Sequence, residues 1–275
     1  MSKENCFIYI DDESFSFEVE GEFYWGAKEV LFKKDGNIIS KAPWFQEGFS
    51  VVDAFEASEF LAFKKSVTAS ILMAIQENGI PVNADTFELE QYHTIVTTDE
   101  DHYKVINITR NLTNEDLDFD IENLVSRFGS ILGFPLTSWI EELKKTHIQI
   151  RINRPSSLDI NPPHRDGYLD FWKDILNIWI PIAGCNEMTS LPVLPGSHLI
   201  SEDHILRTKA KGAKINGNTY NVPCILKTRG GAMKMIRPNP KEGQAIIFSP
   251  FLVHGAAVNR SEVTRVSIEL RFAKN

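Results

Sequence analysis

Two histidines and one aspartate have the residue types and the spacing of a metal site. His164 and Asp166 are separated by one residue, and in extended chain this spacing points both side chains to the same side. His254 follows much later, shortly after an apolar run at residues 245–248. Two imidazoles and one carboxylate form the facial triad that binds Fe(II) and leaves coordination positions open. The alternatives are a hydrogen-bonded His–Asp pair in a loop and a histidine satisfied within the core.

An arginine could hold a carboxylate beside such a metal ion. Arg265 lies eleven residues after His254 in an alternating segment, and a planar guanidinium can bind a carboxylate through two parallel hydrogen bonds. Arg260 is an alternative, but the residues around it are typical of a turn. We therefore prefer Arg265 as the carboxylate partner.

Three sequence blocks, in a fixed order, carry a resemblance to a known family. The blocks are residues 163–166 (Pro-His-Arg-Asp), residues 177–182 together with 191–198, and residues 242–248 followed by His254, Gly255, Asn259 and Arg265. Together they resemble the phytanoyl-CoA dioxygenase-like family of Fe(II)- and 2-oxoglutarate-dependent oxygenases, over roughly the C-terminal half of the chain. A His-x-Asp tripeptide alone would be weak evidence, whereas the ordered set is specific.

The resemblance implies roles for individual residues. The implied iron ligands are His164, Asp166 and His254. Arg265 would bind the distal carboxylate of the co-substrate 2-oxoglutarate, Ser267 would complete an Arg-x-Ser pair, and Trp179 would lie beside the co-substrate. Neighbouring polar and aromatic residues add candidates, namely Gln149 and Asn177 for the co-substrate site, and Arg151, Tyr168 and Trp172 for the substrate pocket.

Other residues near these blocks have less defined roles. Arg165 lies between two implied ligands, where family members often carry a neutral residue, and the sequence leaves open whether it faces solvent or substrate. His198 ends the Pro-Gly-Ser-His segment, and we expect it to belong to a turn rather than to the ligand set. The remaining histidines lack partner spacing and are predicted to be structural or solvated: His93, His102, His147 and His204.

Strands must position these residues, and the sequence predicts them in the C-terminal half. Residues 147–153 and 263–272 both alternate between apolar and polar side chains. The apolar faces suit packing under helices. The polar faces could be solvated, but Arg265 and Ser267 favour a polar cavity. We therefore predict a mainly β fold with flanking helices, specifically a double-stranded β-helix (a jelly-roll, cupin-like barrel) with helices packed on one face.

The N-terminal half shows no family motif but has several predicted elements. We expect a strand at residues 6–10, a hairpin at 30–39 around Asp35-Gly36, and a helix at 57–78 that ends at Gly79. Two more helices are expected, one beginning after Thr113 or Asn114 and one at Ser138, where a Ser-x-x-Glu pattern matches a capping box.

Length and composition favour one oxygenase domain. The chain has 275 residues, of which 43% are hydrophobic and 18 are phenylalanine, enough to bury a sizeable core. We predict one domain over residues 1–275, with N-terminal strands and supporting helices at 1–146 and the jelly-roll catalytic core at 147–275.

Charge and cysteine content exclude several classes of protein. The formal net charge of −8 argues against a general nucleic-acid or anionic-membrane binder. The three cysteines are scattered and indicate a reducing compartment without a disulfide framework. The N-terminus lacks a signal-peptide pattern, and no apolar run is long enough to span a membrane. We expect a cytoplasmic protein whose partner is a small molecule.

One segment departs from this acidic balance. Residues 199–241 contain nine Lys or Arg and only two acids, Glu202 and Asp203. The segment could bind an anionic substrate, or it could be a solvated loop that offsets the acidic N-terminal half.

These observations favour an enzyme over a binding module. We expect a non-haem Fe(II)- and 2-oxoglutarate-dependent dioxygenase that hydroxylates, or otherwise oxidises, a small-molecule substrate and releases succinate and CO2. According to the resemblance, halogenating relatives lack the carboxylate that Asp166 provides, so hydroxylation or a related oxidation is favoured. The alternatives are a cupin-like metal-binding isomerase or binding protein, a scaffold with an inactive site, and a peptide hydroxylase.

Overall fold

The structure is a computed structural model that describes residues 2–157, 161–209, 213–215, 218–256 and 258–275. The helices in these ranges are α1 (Ala57–Glu77), α2 (Tyr92–Ile95), α3 (Asp99–Thr109) and α4 (Ile121–Leu132). The strands are β1 (Ser2–Ile10), β2 (Glu13–Gly21), β3 (Phe23–Trp25), β4 (Phe49–Asp53), β5 (Leu136–Thr137), β6 (Trp139–Ile140), β7 (Lys145–Asn153), β8 (Ile175–Ala183), β9 (Ile205–Thr208), β10 (Ala213–Ile215), β11 (Asn218–Tyr220), β12 (Ile225–Thr228), β13 (Met233–Met235), β14 (Gln244–Phe248) and β15 (Arg265–Lys274). Short 3-10 turns include Asp166–Tyr168, Ser197–Leu199 and Glu202–His204.

The largest sheet carries most of the candidate site. Its strands follow the order β4-β14-β8-β15-β7-β6, and β5 pairs with one end of β15. The neighbouring strands are antiparallel. Two smaller sheets, β12-β9-β3 and β11-β10-β2-β1-β13, complete the jelly-roll barrel.

Helices cover one face of the seven-stranded sheet. The apolar side chains of β7, β8 and β15, such as Ile150, Ile180 and Ile268, share a buried core with Phe63 of α1 and Phe128 of α4. The polar side chains of β7 alternate with these and line a cavity, as period-two geometry requires. The predicted mainly β, cupin-like jelly roll with helices on one face is therefore confirmed.

Strands from the N-terminal half complete all three sheets. β4 pairs with β14 in the large sheet, β3 pairs with β9, and the β1–β2 hairpin lies between β13 and β10. A second buried core forms under this hairpin and includes Cys6, Ile8, Val19 and Met233. The N-terminal hairpin is thus bound to strands that follow the candidate ligands in sequence.

Several predicted elements agree with the structure. β1 contains the strand expected at residues 6–10, and α1 matches the helix expected at 57–78. Gly79 follows α1 with a φ of +68°, a left-handed conformation that suits glycine after a helix. α4 begins later than expected, because Asp120 accepts a hydrogen bond from the Glu122 backbone N–H and caps the helix there. No helix in the described ranges is both long and apolar enough to cross a membrane.

Two local predictions are wrong. Residues 30–39 form turns rather than a hairpin, because Phe32, Ile38 and Ile39 are buried in the main core. The helix expected at Ser138 is absent, and β5, β6 and a turn occupy this region. The Ser138 hydroxyl donates to Glu122 rather than capping a helix. In both places, packing against the main body overrides the local pattern.

Candidate metal centre and adjoining cavities

A short antiparallel bridge brings the two predicted histidine ligands together. The backbone N–H of His164 donates to the His254 carbonyl at 3.0 Å, and the reverse bond is 3.1 Å long. Asp166 follows at the start of a 3-10 turn. All three side chains are buried, and one ligand atom from each lies within 4.8 Å of the others. In the described ranges, this is the one group of three or more His, Cys, Asp or Glu that could hold a metal ion.

Backbone carbonyls fix the orientation of both imidazoles. Nδ1 of His164 lies 2.7 Å from the Pro162 carbonyl, and Nδ1 of His254 lies 3.0 Å from the Leu252 carbonyl. Each Nδ1 must therefore carry the proton, which leaves the Nε2 lone pair free to bind a metal ion. Burial, followed by the proximity of His164, lowers the pKa of His254 to about 4. The neutral form that a metal ion requires is therefore favoured at neutral pH.

The third group, Asp166, is held by two donors on one of its oxygens. Its Oδ2 accepts from Asn177 Nδ2 at 2.8 Å and from Arg271 Nη2 at 3.0 Å. Its Oδ1 lies 3.5 Å from His164 Nε2. Burial would raise the pKa of Asp166, but the adjacent Arg271 guanidinium outweighs it and holds the pKa well below the ordinary value. Two imidazole nitrogens and one anionic oxygen therefore converge, and this donor set suits Fe(II).

Arg271 belongs to the site but was missed in the sequence. It lies on β15 opposite His147 of β7, and its guanidinium donates to His147 Nε2 and to Asn177 Oδ1. It also stacks 4.5 Å from the Trp172 ring centre. Burial, followed by the charge of Arg271, lowers the pKa of His147 to about 2, so this histidine is a neutral acceptor. The signal was available, because Arg271 shares the polar face of β15 with Arg265 and Ser267.

A narrow cavity connects the two histidines to Arg265. It is lined by both imidazoles, Trp179 and Arg265, among others, and has a volume of about 40 Å³. Arg265 donates to Ser267 Oγ at 2.6 Å and lies 5.7 Å from the Trp179 ring centre. A guanidinium and a hydroxyl are fitting partners for a carboxylate.

The rival arginine is placed elsewhere. Arg260 pairs with Glu13 at 3.1 Å on the surface and stacks on Phe15. His198, expected in a turn, is fully buried among the rings of Phe32 and Phe45 and is not part of the triad. The geometry therefore favours Arg265 as the carboxylate partner.

A larger cavity of about 610 Å³ opens beside His164 and Asp166. One wall is the polar face of β7, and the others come from α3, from residues 171–172 and from residues 218–222. The lining side chains on β7 are Lys145, His147, Gln149 and Arg151. This cavity is large enough for a small organic substrate.

The predicted pocket residues are distributed unevenly. Arg151 lines both cavities, Trp172 and Gln149 line the larger one, and Asn177 supports Asp166 and lines neither. Asn177 lies beside Asp166 because it is paired in register with Arg271 of β15. Tyr168 also lies outside both cavities, since its hydroxyl donates to Glu202. The co-substrate contacts expected of Gln149 and Asn177 stay predictions.

Ion pairs set the charge of the larger cavity. Glu269 pairs with Arg151 at 2.8 Å. Burial would raise the pKa of Glu269, but Arg151 and Arg271 lower it to about 2. Lys145 is half-buried at the cavity wall, and no described acid forms an ion pair with it. The cavity therefore has an excess of positive charge at Lys145.

The described part of the basic segment 199–241 contributes no charged side chain to this wall. Residues 210–212 and 216–217 of the segment lie outside the described residues. In the described part, Lys209 pairs with Glu22 and Arg237 pairs with Asp11, acids that lie in the connections next to the N-terminal strands. Among the described residues of the segment, only uncharged side chains at 218–222 line the larger cavity, whereas Lys209 and Arg237 offset acids of the N-terminal half.

The chain matches a family model and resembles several solved structures. The family model described as Phytanoyl-CoA dioxygenase (PhyH) matches residues 46–267. No curated protein matches the chain.

The solved structures similar to this chain include AviO1 from Streptomyces viridochromogenes Tue57, with 14% identity and a TM-score of 0.48 over 88% of this chain and 96% of that chain. They also include EctD from S. alaskensis with 2-oxoglutarate and 5-hydroxyectoine, with 15% identity and a TM-score of 0.47 over 93% of this chain and 83% of that chain. The epimerase SnoN in complex with Fe3+, alpha ketoglutarate and nogalamycin RO is 13% identical, with a TM-score of 0.47 over 85% of this chain and 81% of that chain. The family match spans most of the chain and includes the triad, Arg265 and Ser267.

Proposed function

Because this chain belongs to the phytanoyl-CoA dioxygenase (PhyH) family of Fe(II)- and 2-oxoglutarate-dependent oxygenases, we propose that His164, Asp166 and His254 hold its ferrous ion and that it oxidises a small-molecule substrate. The observation that carries the residue assignment is the convergence of these three buried groups within 4.8 Å. When bound, iron and 2-oxoglutarate supply the oxidising chemistry, in which 2-oxoglutarate is converted to succinate and CO2.

The protein's own contribution is placement and charge. The two imidazoles present Nε2 because their Nδ1 atoms are engaged by backbone carbonyls. Asp166 presents Oδ1 as an anion because Asn177 and Arg271 engage Oδ2. Burial of all three groups limits their exposure to water, which strengthens each electrostatic contact.

The co-substrate is held through its distal carboxylate by Arg265. This residue is buried on the same cavity as the histidines, Ser267 lies within hydrogen-bond distance of it, and Trp179 forms a wall. Two or more charge-assisted hydrogen bonds, each of about 1.5–3 kcal/mol, would stabilise the bound diacid.

Hydroxylation, or a related oxidation, is the reaction that we assign to the site. A carboxylate is present at Asp166, so the position that chloride takes in halogenating relatives is filled. The substrate would lie in the larger cavity, between the polar face of β7 and the ring of Trp172. The ammonium of Lys145, which forms no ion pair with a described acid, favours a substrate with a carboxylate or phosphate group, and Arg151 is a further contact in that wall.

The experiment is reconstitution of the apoprotein with Fe(II), 2-oxoglutarate and oxygen. Succinate should form slowly without substrate and faster when a fraction of anionic metabolites contains the substrate, and a ferrous chelator should stop it. Binding of Fe(II) without any succinate in the presence of all fractions would contradict the proposal and favour a cupin-like isomerase or binding protein.

A further inference from the structure

Arg165 lies between two proposed metal ligands but faces away from them. Its backbone is extended, with φ −119° and ψ 130°, so its side chain points opposite to those of His164 and Asp166. The side chain is 0% exposed. It therefore contacts neither solvent nor substrate, and a buried guanidinium needs acceptors from the protein.

Three acceptors surround this guanidinium. Nη1 donates to the Glu202 carboxylate, and Nη2 donates to the backbone carbonyls of Ser197 and Ile200. Glu202 is itself only 1% exposed. Arg165 thus ties the segment that carries His164 and Asp166 to the turn at residues 197–204.

Glu202 is held rigidly in its own surroundings. Its carboxylate also accepts from Arg207 Nε at 2.9 Å and from the Tyr168 hydroxyl at 3.3 Å. Its backbone N–H donates to the Glu29 carbonyl at 2.7 Å. A Cβ at Gly26 would lie 2.6 Å from the Glu202 Cβ, so little room exists for Glu202 to move.

The same turn also reaches the distal histidine. Ser197 Oγ accepts a hydrogen bond at 2.7 Å from the backbone N–H of Val253, the residue before His254. The Leu194 N–H donates to the Val253 carbonyl at 2.8 Å. The Val253 N–H is therefore fixed by the turn that Arg165 holds, and the Val253 carbonyl is fixed by Leu194, just before that turn.

We propose that Arg165, Glu202 and Ser197 form a buried clamp that sets the relative position of the two segments that carry the metal ligands. The clamp rests on the proposed function, because it acts on the proposed ligands, and its members are positioning residues that touch neither metal nor substrate. Glu202 supplies the anion, Arg165 joins it to the first ligand segment, and Ser197 joins the turn to the second. Supporting contacts around metal ligands commonly alter metal affinity by about ten- to a hundredfold.

The test measures Mn(II) binding by electron paramagnetic resonance, without turnover, in wild type, R165Q, E202Q and R165Q/E202Q. Each single variant should bind Mn(II) about tenfold or more weakly, and the double variant should be less impaired than the sum of the two, because the partners act as a unit. S197A removes one neutral hydrogen bond and should weaken binding by a smaller factor, so it remains informative if a charged variant does not fold.

A matched control separates positioning from general stability. R127Q removes the half-buried Arg127–Glu59 pair on the helical side of the protein, and it should lower the melting temperature without changing Mn(II) affinity. Equal Mn(II) affinity in wild type and in all the clamp variants would overturn the clamp and leave the proposed function intact. A loss of Mn(II) affinity in R127Q as large as in the clamp variants would have the same consequence. Absence of Mn(II) and Fe(II) binding in the wild type would instead overturn the proposed metal centre, and the clamp with it.

Discussion

Arg271 donates a hydrogen bond from Nη2 to Oδ2 of Asp166 across 3.0 Å, inside a pocket where both side chains are buried. The contact joins the C-terminal strand of the sheet to the proposed metal centre. It lowers the pKa of Asp166 and leaves the other carboxylate oxygen, Oδ1, facing His164 Nε2 at 3.5 Å. Arg271 therefore supports the proposed metal centre although it is not a ligand.

Replacement of Arg271 by Gln should weaken Fe(II) binding. The variant loses the charge that favours ionised Asp166 and the donor that orients it, so the affinity should fall by about ten- to a hundredfold. Anaerobic titration of the apoprotein with Fe(II) measures this. Arg151→Gln is the matched control, because Arg151 lines the same cavity but pairs with Glu269. Unchanged affinity in Arg271→Gln would remove Arg271 from the support of the metal centre.

Arg265→Lys should mainly raise the concentration of 2-oxoglutarate that the enzyme requires. An ammonium cannot reproduce the two parallel hydrogen bonds of a guanidinium, and the loss of one charged hydrogen bond, about 1.5–3 kcal/mol, corresponds to roughly ten- to a hundredfold in KM. Succinate formation against 2-oxoglutarate concentration measures it. Arg260→Lys should behave as wild type, and the reverse pattern would move the carboxylate site to Arg260.

Lys145→Gln should weaken the use of an anionic substrate. Lys145 lines the larger cavity and forms no ion pair with a described acid, so the KM for the substrate should rise by about tenfold, while succinate formation without substrate stays the same. Lys209→Gln is the control, because Lys209 pairs with Glu22 on the surface. An equal effect of the two variants would argue against an anion site at Lys145.

Acid should destabilise the apoprotein partly through His198. Burial lowers its pKa to about 4, so between pH 6.5 and pH 4 the unfolded chain binds a proton that the folded chain does not. Stability is then complete above pH 6.5 and falls as the pH decreases toward 4, by at most about 1.4 kcal/mol per pH unit from this group. Urea unfolding of His198→Phe at several pH values should show a shallower dependence, and an identical slope would contradict the assignment.

The sequence predicted the strands whose side-chain polarity alternates. Polar and apolar residues alternate at 147–153 of β7 and at 265–272 of β15, because the apolar face packs under helices and the polar face lies on the side of the cavities. α1 carries a continuous apolar stripe and a terminal glycine. Residues 30–39 and Ser138 were misjudged because Phe32 and the Ser138 hydroxyl find partners far away in sequence, which no local pattern reveals.

Only some residues of the candidate site could be predicted from the sequence. The triad and Arg265 could be proposed from spacing and resemblance, since their residue types are required by the chemistry. Arg271 lies on the same polar face of β15 as Arg265 and Ser267, and this face had already been identified in the sequence. Glu202 could not be recognised as the partner of Arg165, because a sequence separation of 37 residues and a turn intervene, and only the fold brings these two side chains together.

The most direct test of the account is the visible absorption of the anaerobic complex with Fe(II) and 2-oxoglutarate. Wild type should develop a weak charge-transfer band when both are added, and His164→Ala, Asp166→Ala and His254→Ala should each lose it while remaining folded by circular dichroism. A band that persists in any of these variants would exclude that residue as a ligand. Its absence in wild type loaded with Fe(II) would contradict the proposed metal centre.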